Sequence, residues 1–173
     1  MTGEFMTVRR RPCLPMAVRN LRTLDRVDYE DAVVSLCSPV GREDAVQWAR
    51  CVLAERPLTT PGHLLTAGLL LGLRVNPLAR NRIAGWAITR CTAHRVVLAA
   101  HSPIGIHGEL VFAQHQGRWW FGTMGQLDNR AARTTWATVA PAHRERVEAL
   151  LQDAGLRGRQ RDDCQKGLGR EDS

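Results

Sequence analysis

The sequence predicts an α+β domain in which an antiparallel sheet packs against a long C-terminal helix. Residues 82–127 break into short runs rich in β-branched and aromatic residues. The links between these runs are short, which favours antiparallel neighbours. In residues 131–154, Ala132, Trp136, Val139, Ala140, Val147, Leu150 and Leu151 then fall at helical spacing and form one apolar stripe. A chain of 173 residues is one ordinary domain with a core large enough to fold alone. Its 44 % hydrophobic share argues against wholesale disorder.

Taken in order, residues 1–20 read as a flexible basic arm, rich in arginine and punctuated by Pro12 and Pro15. Residues 27–36 alternate apolar and polar side chains at their start and read as a first strand, ended by Ser38-Pro39-Val40-Gly41. Residues 42–55 place Ala45, Trp48, Ala49, Val52 and Leu53 at helical spacing, with Glu43 and Asp44 in the favourable first turn and Pro57 as the stop. Thr60-Pro61 reads as an N-cap followed by proline at the first helical position, opening a second helix to about Leu73.

Asn76-Pro77 marks a loop. Four strands are then predicted at 82–90, 94–101, 106–115 and 118–127, with Gln116-Gly117 suited to a tight hairpin. The third helix spans 131–154. Pro141 lies inside it and should bend it, and Gly155 should end it. Residues 156–173 are polar and Gly-punctuated and read as a disordered tail. The expected organisation is therefore an arm at 1–20, a domain at 21–155 and a tail at 156–173.

The formal net charge of +7 is concentrated at one end. Residues 1–26 carry six arginines against Glu4 and Asp25, whereas residues 27–155 carry thirteen against eleven acids. A nucleic-acid-binding face should cluster Lys and Arg, often with interleaved aromatics, and the predicted body does neither. No nucleic-acid partner is expected, and the basic end reads as solvated. Twenty-three arginines against the single Lys166 suit coding from a GC-rich bacterial genome.

Five scattered cysteines without a C-x-x-C spacing fit reduced thiols better than a disulfide framework or a zinc site. Cys51 falls in an apolar helical stripe and should pack as a small hydrophobe. No run approaches the roughly 20 apolar residues of a membrane span. Pro12 and Pro15 follow Arg9, Arg10 and Arg11 where a secretory signal would have an apolar core. The expected location is the cytoplasm. The sequence leaves the oligomeric state open.

Five segments resemble a known group of proteins. They are Leu21-Arg22-Thr23-Leu24-Asp25-Arg26-Val27-Asp28-Tyr29-Glu30-Asp31-Ala32, Trp48-Ala49-Arg50, Gly85-Trp86, the run from Ser102-Pro103-Ile104-Gly105 to Glu109-Leu110, and Trp136 through His143-Arg144. Together they span residues 21–154, and the last, with its W-A-x-V-x-P-x-H-R pattern, is the most specific. They resemble a bacterial domain family of unassigned function within the START and polyketide-cyclase-like (SRPBCC) superfamily. The resemblance implies a helix-grip fold, with a curved antiparallel sheet, two short helices and a long C-terminal helix across the concave face. It also implies binding of a lipid-like or polyketide-like molecule between sheet and helix. Some members of the superfamily are cyclases or hydratases, but no catalytic motif is shared, so fold alone does not assign a reaction.

The expected function is binding of a small, largely apolar ligand without cofactor or metal. Trp86, Trp120, Trp136, Ala140 and His143 are the expected ligand contacts. His143 lies on the apolar stripe, either as a polar hook in a pocket or as a core histidine bonded to a backbone carbonyl or a strand side chain; the structural role is preferred. His107 and Glu109 are two apart in a strand and share a face. Pointing inward, they could form an acid/base couple; pointing outward, they are the wet face of the sheet, and the outward reading is preferred. The alternative function is an enzyme of cyclase or hydratase type using His143 or His107/Glu109. No H-E-x-x-H, G-x-S-x-G or tight His/Asp cluster points to a metal or a nucleophile.

Overall fold

The computed structural model describes residues 8–35, 44–54 and 81–168, with side chains as far as Ala154. The elements are β1 (Val8–Arg11), α1 (Met16–Arg19), β2 (Tyr29–Ser35), α2 (Ala45–Ala54), β3 (Arg82–Ile83), β4 (Trp86–Thr92), β5 (Arg95–His101), β6 (Ile106–His115), β7 (Arg118–Leu127) and α3 (Arg130–Leu168). The seven strands form one open sheet in the order β1-β2-β7-β6-β5-β4-β3. Every neighbouring pair is antiparallel. Strands β3 to β7 follow one another as a meander, and β2 closes onto the last of them.

Local chemistry explains the meander. Gln116 and Gly117 have φ of 51° and 69°, so both residues of the β6–β7 turn are left-handed. That is the backbone of a type I′ turn, whose twist matches the flanking strands. Ala84 and Gly85 repeat it with φ of 49° and 87°, which divides the expected strand 82–90 into β3 and β4. A register shift between Ile88 and Arg90 then bends β4.

Both faces of the sheet are covered. On one face, α2 and α3 set Trp48, Trp136, Val147 and Leu151 against Val33, Leu98, Leu110, Phe112 and Phe121. Trp48 meets Phe112 edge-on at 5.0 Å and Trp119 at 4.9 Å. On the other face, residues 12–27 set Leu14 and Val18 against Ala32, Val97, Val111, Ala113 and Met124. Double cover accounts for the unbroken apolar run Leu110-Val111-Phe112-Ala113 in β6, where a half-wet strand would alternate.

Two expectations about the ends of the chain are corrected. The N-terminal arm is not a loose tail from Val8 onward: β1 pairs with β2, and Leu14 and Val18 are buried. The apolar residues Leu14, Val18, Leu21, Leu24 and Val27, three or four apart, supply the contact surface that the arginines and prolines obscure. The C-terminal helix does not stop at Gly155 but continues to Leu168, so residues 156–168 are helical and not a disordered tail. One glycine costs a helix only about 1 kcal/mol. Pro141 lies inside the helix, as expected. The helix expected at 60–73 lies outside the described residues. Among the described residues, no helix is long and apolar enough to cross a membrane.

Candidate functional site

Strand β2 sorts its side chains by alternation. Tyr29 and Val33 join the α3-side core while Ala32 joins the arm-side core, which places Asp31 on the α3 side between Tyr29 and Val33. The Tyr29 hydroxyl donates to Asp31 Oδ2 at 2.5 Å. Asp31 stands directly opposite Thr123 in the β2–β7 ladder. Thr123 Oγ1 lies 3.0 Å from His143 Nε2, and both side chains are buried. The Trp136 ring meets Tyr29 at 4.8 Å and His143 at 5.4 Å. A polar cluster from β2, β7 and α3 thus sits within the sheet–helix seam.

Burial sets the electrostatics of this cluster. It holds the His143 imidazole below the usual histidine range, with Asp31 pulling the other way and Arg144 and Arg146 adding to the depression. The ring is therefore neutral at pH 7, and its Nε2 accepts from or donates to Thr123 according to tautomer. Burial, followed by the bond to Asp31, pushes the Tyr29 phenol well above its ordinary range. The second carboxylate oxygen of Asp31, Oδ1, is buried without a hydrogen-bond partner among the described residues, as is the indole nitrogen of Trp136.

The cluster borders a pocket of about 450 Å³ at the edge of the seam. Tyr29, Asp31 and Val33 of β2, Arg144 and Val147 of α3, and Arg10, Arg11 and Pro12 at the end of β1 contribute to its walls. The pocket exists because β1 stops short. Its pairing with β2 ends at Arg11–Ala32, so the stretch of β2 before Ala32 has no strand neighbour on that side. Pro12 follows and has no backbone N–H to continue the ladder. The arginine groups on this rim differ in state. Arg10 is hydrogen-bonded to Glu148 of α3 at 3.0 Å. Arg144 carries its guanidinium carbon 6.0 Å from the centre of the Tyr29 ring. Neither Arg11 nor Arg144 forms an ion pair with a carboxylate among the described residues.

The expected ligand contacts fall elsewhere. Trp86, Trp136, Ala140 and His143 are buried members or neighbours of the α3-side core, and none lines the pocket. Trp120 points to the opposite face and packs with the arm-side cluster. Of the expected set, Trp136 touches the pocket-lining Tyr29, His143 touches Trp136, and the Ala140 carbonyl accepts from the pocket-lining Arg144. The residues that do line it carried two usable signals. Tyr29 and Asp31 are two apart in a strand, and Arg144 and Val147 are three apart on a helix, so each pair shares a face.

His107 and Glu109 also share a face, and it is the arm side. The structure corrects both readings of this pair: it does not point towards α3, and Glu109 is not wet. Glu109 is fully buried and accepts the Thr23 backbone N–H at 2.9 and 3.2 Å, with a further bond from the Thr23 hydroxyl. Desolvation holds its carboxyl above the usual range, against the pull of those bonds. His107 is half-exposed and its Nε2 lies 2.7 Å from Asp128 Oδ2. A smaller hollow of about 260 Å³ lies here between the arm and the sheet. Glu109 and His143 are thus separated by the thickness of the sheet and cannot act on one reacting atom.

Among the described residues, no group of three His, Cys, Asp or Glu side chains is placed to hold a metal ion. Comparison of the chain with protein-family models, with curated proteins and with solved structures finds no match.

Proposed function

We propose that the protein binds a small, largely apolar molecule, without transforming it, in the pocket between β2 and α3. The observation that carries this reading is the pocket itself. At about 450 Å³ it falls within the range of small-molecule sites, and its lining combines apolar walls with a few convergent polar groups. The architecture supports it: a long helix laid on an antiparallel sheet is the arrangement of the helix-grip proteins that the sequence resembles, and we read the chain as a variant of that fold. In this variant the ligand sits at the seam's edge, because the seam's middle is filled by Trp48, Phe112, Phe121 and Trp136.

Turnover is the less favoured reading. An enzyme needs a polar group set against the reacting atom. The His143 nitrogen is engaged by Thr123, and Glu109 is engaged by Thr23 on the far side of the sheet. Amide-resolved NMR titration with medium-chain aliphatic and naphthalene-based compounds tests the binding reading. Shifts should concentrate on residues 29–33 and 144–147, and the compounds should be recovered unchanged. A panel in which no compound moves those amides overturns the reading, and a chemically altered compound restores the enzyme alternative.

A further inference from the structure

We infer that the molecule held in this pocket is a singly charged organic anion, an aliphatic or aromatic carboxylate whose apolar body lies along Tyr29, Val33 and Val147. The inference rests on the binding reading above and adds the charge and the head group of the ligand.

The charge balance around the pocket leads to it. Arg10 is neutralised by Glu148 across the β1–α3 gap. Glu30 is neutralised by Arg19, whose Nε lies 2.8 Å away, and also accepts the Leu14 backbone N–H at 2.7 Å. These two pairs remove two cations and two anions from the count. Arg11, Arg144 and Asp31 remain among the charged groups of the rim. Two guanidinium groups against one carboxylate leave a net charge of +1, which one carboxylate matches and a phosphate dianion exceeds.

The geometry agrees with the charge. Arg144 emerges from α3 beside Tyr29, with its Nε turned back to the Ala140 carbonyl at 3.4 Å. Arg11, opposite Ala32 and so based on the arm-side face, lines the pocket where β1 ends at the edge of the sheet. A guanidinium presents a planar fork that binds a carboxylate through two parallel hydrogen bonds. Asp31 bears on the ligand in a second way. It lies deeper, and its repulsion keeps a carboxylate at the rim while the apolar body points inward.

The test uses matched probes on the whole chain: decanoate, decanol and decyl phosphate, with 2-naphthoate and 2-naphthalenemethanol as the aromatic pair. Calorimetry gives affinity, and the amides of residues 29–33 and 144–147 report the place of binding. The carboxylates should bind at least about tenfold more tightly than the alcohols, equivalent to about 1.4 kcal/mol. Arg144→Gln and Arg11→Gln should each erode that advantage, lowering the carboxylates' affinity by a larger factor than the alcohols'; an equal loss for both probe classes would show that the guanidinium groups shape the pocket without reading the charge. Alcohols that match the carboxylates at the same amides would overturn the anion inference and leave the binding reading intact. Decyl phosphate binding more tightly than decanoate would overturn the single-charge assignment. If no probe moves those amides, both readings fall together.

Discussion

His143 and Thr123 form a buried polar pair, so each loses a hydrogen-bond partner when the other is replaced. Replacing one leaves the other's polar atom desolvated, at a cost of about 1–3 kcal/mol. His143→Leu and Thr123→Val should each destabilise by that amount, whereas the double variant should lose about 1 kcal/mol less than the sum. Urea unfolding of the four proteins gives the coupling, and strict additivity would show that the bond contributes nothing. The same histidine gives a pH dependence. Its folded pKa is depressed by burial below the ordinary 6.5, so the unfolded chain takes up the proton first. Its contribution is intact above pH 6.5 and is lost as the pH falls through the folded value. Glu109 has the opposite sign: its folded pKa is raised above 4.5, so its contribution is full below that pH and is lost as the pH rises. Stability profiles of His143→Leu and Glu109→Gln should therefore flatten on opposite slopes.

At the scale of elements, the start of α3 is fixed by one side chain. Asn129 Oδ1 accepts the Ala132 N–H at 2.8 Å, and its Nδ2 donates to the Ile104 carbonyl at 2.9 Å. The first contact caps the helix and the second ties it to the β5–β6 loop. Asn129→Ala should cost about 1 kcal/mol for the cap alone, with Asn129→Asp keeping the cap and losing the tie. Chemical denaturation ranks the two, and an Asn129→Asp variant no more stable than Asn129→Ala would contradict the capping role. The cap sets where α3 begins, and hence the register that brings Trp136 and His143 over β2 and β7. Gly122 performs a comparable task in β7. A Cβ there would come within 2.4 Å of Leu14, so the glycine is what allows the arm to lie on the sheet.

For the whole molecule, the sheet needs cover on both faces, and the arm supplies the second. Without it, Ala32, Val97, Val111, Ala113 and Met124 would face water, and Glu30 would lose its bonds to Leu14 and Arg19. Leu14→Ala alone should cost about 2–5 kcal/mol, as other emptied core sites do. Removal of residues 1–20 should cost more than that single change and should expose dye-binding apolar surface. Equilibrium unfolding checks this: a truncated chain within about 0.5 kcal/mol of the full chain would mean that the arm rests on the sheet without stabilising it.

Periodicity made much of this fold legible in the residues. Strands β6 and β7 begin and end where the alternation and the Gln116-Gly117 turn indicate, and the stripe from Ala132 to Leu151 is the buried face of α3. These features are local: a repeat of two or of 3.6 residues and a left-handed turn are written in neighbouring side chains. The role of the arm was not legible by the same means, because arginine and proline dominate its composition and its apolar residues find their partners on distant strands. The faces of Glu109 and Trp120 were hidden for the same reason, since alternation tells which residues share a face but not what covers it. The pocket is the clearest case. It arises where β1 ends beside β2, with walls from three segments spread between Arg10 and Val147, and its rim charge depends on which arginines find carboxylates elsewhere. Those pairings are contacts across the chain, so tertiary structure alone decided them.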